Sequence, residues 1–409
     1  IEQTLYRLAA GLGVAGQTTA VPVTLKGSWI TLLWSVEAVA LFALAGASGL
    51  RYFSRLGLAV LILATVSLWL DLETGYYVGA DLPFLFNRLF LTSLAYVAAL
   101  FASLAALHFF VKDGAVEGEP VFSGAAAEKI RRGLSQFERI MKNVLPVWGA
   151  VALYVALMAE IGGYFNVRYD DLYKRFGYAS DAYQAAVLAA FTFAYLAAFM
   201  AAAQKALPFP SLRLALWPAM LAIVAFAAVP VLFFLYRTDL DFRLGVNPAP
   251  LDYFGVARWT FGLCLGALLF AGWRHYKAFS KEHEFIERTR PWFVVLCHVV
   301  ILFFFSTELV RGFVSPSNAD ELLTVVQKVG YSLLWGGYAL GLLAAGFAFK
   351  DKVLRFMGIA LAGVTLVKLV VYDLENLPTV YRIIAFILIG AVFLLISYLY
   401  QRYGKEINK

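Results

Sequence analysis

Apolar residues fill this chain in runs of about twenty, separated by short clusters of charge. Twelve such segments stand out, near 4–22, 28–47, 54–72, 86–111, 144–164, 182–206, 211–236, 254–273, 292–312, 326–348, 353–372 and 380–401. A helix of roughly 20 apolar residues spans the hydrocarbon core of a bilayer. Backbone polar groups cannot go unpaired in lipid, so each run is expected to be helical. The pattern predicts an all-α fold, a polytopic transmembrane helical bundle of about 12 spans.

Composition sharpens this reading. The chain has 409 residues, of which 62% are hydrophobic and only 15% charged, with a mean hydropathy of +0.75. Globular domains are nearer half apolar and a quarter charged. A soluble enzyme, a disordered tail and a nucleic-acid binder are thereby excluded. The first run begins at Ile1 and lacks the small-residue cleavage pattern of a signal peptide. The sequence is therefore expected to be part of a longer or processed protein.

Charge sets the expected direction. One set of alternate loops holds Arg51 and Arg55; Lys129, Arg131 and Arg132; Lys205 and Arg213; Arg274, Lys277, Lys281, Arg288 and Arg290; Lys350, Lys352 and Arg355; and the tail with Arg402, Lys405 and Lys409. By the positive-inside rule these loops are cytoplasmic, as are both ends of the chain. Two cytoplasmic segments are long enough for structure of their own. Residues 125–142 place Ile130, Leu134, Phe137 and Met141 on one face of a helix among Lys129, Arg131, Arg132 and Arg139, and residues 276–290 mix charges with Phe279, Phe285 and Ile286. Both read as interfacial amphipathic helices or partner-binding segments.

The chain also repeats itself. Leu33-Trp34-Ser35-Val36-Glu37-Ala38 aligns with Leu334-Trp335-Gly336-Gly337-Tyr338-Ala339. The alignment continues through Leu41/Leu342, Ala43/Ala344, Ala47/Ala348, Gly57/Gly358 and Ala59/Ala360, and closes on Asp71-Leu72-Glu73 against Asp373-Leu374-Glu375. An acid followed by an aliphatic residue recurs at Asp71, Glu160, Asp239, Glu308 and Asp373, each after an apolar run that enters from the cytoplasm. Five like-oriented helix hairpins follow, near 28–73, 86–161, 182–240, 254–309 and 326–374, with one extra helix at each end. Such repeats are parallel rather than inverted.

Most of these acids have a base at the start of a following helix: Arg88 after Asp71, Arg258 after Asp239, Lys328 after Glu308 and Arg382 after Asp373. Glu160 is the exception, with Tyr183 and Gln184 at the corresponding place. A charge at the bilayer centre costs about 2.5–3.5 kcal/mol on insertion scales, and pairing offsets it. The acids are expected either to staple neighbouring hairpins through ion pairs or to converge on a polar pathway. Glu37 and Lys368 lie deeper in their spans and are expected to approach each other or, for Lys368, to reach toward the headgroups.

Elsewhere the candidate chemistry thins out. The expected outer loops, including residues 164–173 and 236–243, combine tyrosines with Arg168, Asp170, Asp171, Arg237, Asp239, Asp241 and Arg243. Tyrosine and carboxylate together suit sugar recognition, and paired acids could act as a general base. Cys264 and Cys297 sit in apolar runs, and His108, His275, His283 and His298 are not spaced as ligands. No metal site and no cofactor are expected.

Two stretches carry a family resemblance. Lys368-Leu369-Val370-Val371-Tyr372-Asp373, Tyr381-Arg382, and Ile396-Ser397-Tyr398-Leu399-Tyr400-Gln401-Arg402 resemble the end of the domain-of-unknown-function 2339 family. Val21-Pro22, Gly27-Ser28-Trp29 and Leu33–Ala38 are similar to its Trp-rich helix starts. The resemblance implies a bacterial inner-membrane protein with a longer parent chain, and it implies no activity.

Three functions stay open: non-enzymatic transport or organisation of envelope components (a lipid, glycan precursor or small solute), which is favoured; a glycan- or lipid-modifying enzyme with a periplasm-facing acidic site; and a scaffold for envelope machinery. Membrane lipids, and other envelope membrane proteins, are the expected partners, without nucleic acid.

Overall fold

The computed structural model describes the backbone of residues 2–48, 52–77, 80, 82–112, 125–177, 179–206, 210–246 and 251–369, with isolated positions between 372 and 398. Asp373, Arg382, most of the segment 380–401, the basic tail and the side chains of 125–139 lie outside the described residues.

Everything regular among the described residues is helical: α1 (Glu2–Thr24), α2 (Ser28–Ser48), α3 (Tyr52–Gly75), α4 (Arg88–Lys112), α5 (Ala125–Val167), α6 (Tyr169–Phe176), α7 (Ala179–Ala206), α8 (Pro210–Ile223), α9 (Val229–Arg243), α10 (Leu251–Phe279), α11 (Glu284–Phe313), α12 (Ala319–Val325), α13 (Tyr331–Ala348) and α14 (Lys352–Lys368). Nine helices among the described residues are long and apolar enough to cross a membrane. The α1 helix, expected as a span, is not among those nine, nor is α14.

Two pairs of helices are each joined without a break by a π-helical turn, Val224–Ala228 between α8 and α9 and Val326–Gly330 between α12 and α13. The first has a local cause. Pro230 follows it and lacks the N–H that an α-helix would direct at the carbonyl of Phe226, so the backbone widens there. The ring of Phe226 stands outward, 82% exposed. Such a surface suits lipid rather than water.

The two amphipathic segments are not separate helices. Residues 125–142 form the start of the 43-residue α5, which runs on through Pro146. Residues 276–290 are the end of α10, a turn and the beginning of α11. Neither Lys142 nor Asn143 interrupts a helix, so the change from charged to apolar sequence marks no change of backbone.

The chain divides into two compact units, Ile1–Leu172 with Leu207–Phe209, and Tyr173–Ala206 with Pro210–Lys409. In the first, α2 packs on both α3 and α4, and α4 on α5. Its core includes Phe42, Leu61, Tyr96, Leu100 and Leu145. In the second, α7 packs on α10 and α13 on α14. Phe193 meets Phe261 edge-on across the first of these pairs, and Trp217 is fully buried with its indole N–H donated to Thr289.

The α2–α3 and α13–α14 hairpins, aligned in sequence, make the same contacts within their own units. A Cβ on Gly57 would lie 3.0 Å from the Phe42 ring and 3.4 Å from the carbonyl oxygen of Ala38. A Cβ on Gly358 would meet Leu343 at 2.7 Å and the carbonyl oxygen of Ala339 at 2.9 Å. Thr31 donates to Ser67 at 2.8 Å, and the aligned pair is joined by Lys368 donating to Ser332 at 3.0 Å. Trp34 donates to the carbonyl of Thr18 on α1, while Trp335 donates to Ser306 on α11. In each hairpin, then, an indole reaches back to an earlier helix and a glycine lets two backbones close.

Candidate functional site

The carboxylates singled out in the sequence are held in four different ways. Glu160, near the end of α5, is 2% exposed. Its Oε2 accepts from the Tyr76 hydroxyl at 2.5 Å and from Asn87 Nδ2 at 2.9 Å. Its Oε1 accepts from the Leu85 N–H at 2.6 Å and from the same amide of Asn87 at 3.0 Å. One acid thus gathers both ends of the connection between α3 and α4.

Local sequence arranges each donor. Asn87 precedes α4 and caps it, accepting from the Phe90 N–H at 2.9 Å, which leaves its amide to turn to Glu160. Leu85 has φ 66°, a left-handed conformation unfavourable for a side chain of this size; its N–H bond to Glu160 helps hold that conformation. Gly163 lies one turn beyond Glu160, and a Cβ there would run into the Tyr76 ring. The bare backbone of Gly163 admits the ring, and the ring carries its hydroxyl to the carboxylate. Burial, reinforced by the hydrogen bond and charge of Glu160, pushes the Tyr76 phenol well above its ordinary value, so it stays a donor.

Asp71 is held more lightly. Its Oδ2 accepts from Thr31 at 3.3 Å, and its Oδ1 would lie 3.8 Å from a Cβ on Gly27 in the α1–α2 turn. Arg88 acts on Asp71 electrostatically without forming an ion pair with it, and its side chain is exposed.

In the second unit the expected pairings are exchanged. Asp239 bonds Arg243 on its own helix, Nε to Oδ2 at 2.9 Å, and Arg243 also donates to the carbonyl of Val314. Arg258, expected to answer Asp239, forms its ion pair with Glu308 across α10 and α11. Asp239 and Arg258 still share a small pocket with Leu232, Leu235, Tyr236 and Thr307. Within it Asp239 Oδ1 and Arg258 Nε have no hydrogen-bond partner among the described residues. Lys328, expected to serve Glu308, instead lies 5.5 Å from the centre of the Tyr372 ring. Arg243 lies four residues after Asp239, the spacing at which side chains on one helix face each other, and Arg258 meets Glu308 instead.

Glu37 and Lys368 each have partners within their own unit. Lys368 Nζ donates to the carbonyl of Lys328 and to Ser332, both at 3.0 Å. Glu37, 9% exposed, has its Oε1 2.7 Å from the Thr18 hydroxyl on α1. Its Oε2 has no hydrogen-bond partner among the described residues. Asp373 and Arg382 lie outside the described residues. No group of three metal-ligating side chains occurs among those described.

The profile of the DUF2339 family, described as predicted membrane protein, matches residues 2–403. The chain belongs to this family. No curated protein matches it, and no solved structure does. Family membership and the apolar helices together make this DUF2339 chain an integral membrane protein.

Asn87, central to this site, was not among the candidates of the sequence, and Tyr76 and Arg243 entered only as members of the aromatic, charged outer loops, without their partners. Asn87 carried a legible signal, a capping residue just ahead of an apolar run. So did Arg243, four residues after Asp239. Tyr76 carried only its place after Gly75, and nothing in the spacing ties it to Glu160.

Proposed function

We propose that this DUF2339 protein is a non-enzymatic component of the bacterial inner membrane that transports or organises envelope components: a lipid, a glycan precursor or a small solute. The burial and engagement of Glu160 carry the reading. A carboxylate that is 2% exposed and accepts on both oxygens from a phenol, an amide and a backbone N–H is poorly placed to take a proton from a substrate as a general base. Its arrangement suits a fastener that fixes the connection between helices. Arg243 and Arg258 give Asp239 and Glu308 the same character.

In this reading the chain is built from five parallel hairpins with a flanking helix at each end. Both ends are cytoplasmic, so the carboxylates lie toward the periplasm. Cysteine labelling in cells tests the orientation: residues introduced at Asn166 and Asn247 react with an impermeant reagent from outside, and one at Ser135 does not. The reverse pattern inverts the topology.

The functional reading is tested by complementation of a strain lacking the protein. E160Q, D239N and E308Q restore the wild-type envelope in proportion to their abundance in the membrane. A variant present at full abundance that fails to complement would place chemistry at its carboxylate and favour the alternative, a glycan- or lipid-modifying enzyme. Asp239 is the residue to watch, because it lines the small pocket and its buried Oδ1 has no hydrogen-bond partner among the described residues.

A further inference from the structure

A donor and an acceptor stand unmatched on two residues that line one pocket of the second unit. Leu232, Leu235, Tyr236, Asp239, Arg258 and Thr307 form that lining, and the room between them is that of about one water molecule. Asp239 uses Oδ2 to bind Arg243, and Arg258 turns Nη1 to Glu308. Asp239 Oδ1, an acceptor, and Arg258 Nε, a donor, are both buried and have no hydrogen-bond partner among the described residues. Arg258 as a whole is only 9% exposed. Leaving such groups buried and unbonded is costly.

A guest that answers both atoms must donate one hydrogen and accept another. A hydroxyl does so, whereas an ionised carboxylate only accepts and an ammonium only donates. Charge gives the same answer. Both charges in the lining already have counter-charges, Asp239 in Arg243 and Arg258 in Glu308, which favours a neutral guest. Arg311 acts on Arg258 electrostatically but does not line the pocket.

The rest of the lining suits a hydroxyl as well. Thr307 donates to the carbonyl of Phe304 at 2.7 Å and keeps lone pairs that can accept. Tyr236 accepts from Gln327 Nε2 at 3.1 Å and from the Tyr331 hydroxyl at 3.4 Å, so its own hydrogen is left to donate. Both π-helical turns adjoin this lining: Leu232 lies one turn after Val224–Ala228, and Gln327 belongs to Val326–Gly330. Such turns are frequent at functional sites.

We propose that this pocket binds a single neutral hydroxyl, supplied by water or by the polyol head group of a lipid. Asp239 Oδ1 accepts its hydrogen, and Arg258 Nε donates to its oxygen. Both residues lie near the ends of their spans, Leu214–Arg243 and Gly255–Phe279, a depth that head groups reach. The site stands whether or not the envelope role holds, because complementation tests that role and not this one.

Electron cryomicroscopy of the purified chain in lipid nanodiscs tests the site. One sample contains phosphatidylglycerol, whose head group carries hydroxyls, and the other phosphatidylcholine, whose head group carries none. Each should show a density peak within hydrogen-bond distance of Asp239 Oδ1 and Arg258 Nε together. A peak isolated in both samples is water. A peak continuous with a lipid phosphate in phosphatidylglycerol, and isolated in phosphatidylcholine, is a head-group hydroxyl. D239L removes the acceptor and should lose the peak; the wild-type maps decide the matter if D239L does not fold. The absence of any peak touching both atoms, a direct Asp239–Arg258 contact in its place, or a peak that D239L leaves unchanged overturns the proposal.

Discussion

The Tyr76 hydroxyl donates to Glu160 Oε2 at 2.5 Å, joining two residues that are 84 apart in the chain. A hydrogen bond to a charged group contributes about 1.5–3 kcal/mol. Y76F is therefore expected to lower stability by that amount in thermal unfolding of the solubilised protein. N87A removes a second donor and the α4 cap together, and costs more. Combined with Y76F, it should show a coupling of about 0.5–3 kcal/mol, as for groups sharing one acceptor. Strict additivity of the two would mean that Glu160 does not join them.

Gly163 should not tolerate a side chain. In G163A the new methyl would occupy the place of the Tyr76 ring, and the ring must swing away with its hydroxyl. The expected loss is about 1–3 kcal/mol, and Y76F should add little to it. If G163A melts as the wild type does, the ring does not lie on that glycine.

The aligned glycines should respond unequally. At Gly57 the nearest obstacle is the Phe42 ring at 3.0 Å, a side chain that can give way. At Gly358 the obstacles include the backbone oxygen of Ala339 at 2.9 Å and the backbone nitrogen of Leu343 at 3.1 Å. G358A is expected to reduce membrane abundance more than G57A. Equal effects would show that the last hairpin is packed no more tightly than the first.

Asp351 gives a pH-dependent prediction. It caps α14, accepting from the Val353 N–H at 2.8 Å, and pairs with Arg290. Burial alone would raise its titration, but the Arg290 bond, the cap bonds and the Arg290 charge outweigh that and hold it below the usual carboxylate range. A depressed acid stabilises the fold above its unfolded value, near 3.9, and that contribution is lost as pH falls through the folded value. D351N keeps a good cap and removes only the charge. With Arg290 34% exposed in its side chain, the difference from wild type should be up to about 1 kcal/mol at neutral pH. Melting curves of the two should converge as pH drops below the usual carboxylate range; a gap that persists there would point to something other than this ion pair.

The exchanged pairing around Arg258 can be separated from the expected one by charge reversal. E308R leaves two guanidinium groups face to face and should cost about 3 kcal/mol or more, as for other partly buried pairs broken on one side. R258E in the same chain restores abundance. Rescue of D239R by R258E, with no rescue of E308R, would instead support the pairing read from the sequence.

The spans were legible because the bilayer imposes a length and a polarity on every segment, and both are local properties of the chain. The same locality concealed the continuity of α5: the sequence changes character near Lys142, but the backbone has no reason to stop there. Charges at the helix ends were found as residues and missed as pairs. Asp239 took a partner on its own helix, a relation that spacing shows. Glu160 took Tyr76, Leu85 and Asn87, three groups brought to it only by the way α3, α4 and α5 pack.

By itself the sequence determined that this is a membrane protein of many helices, and where its carboxylates fall along them. Tertiary structure decided which donor each carboxylate meets and which glycines must stay bare. The reason is range. Hydropathy acts residue by residue over one helix, whereas a hydrogen bond forms only within about 3 Å, and helix packing alone sets which distant side chains come that close.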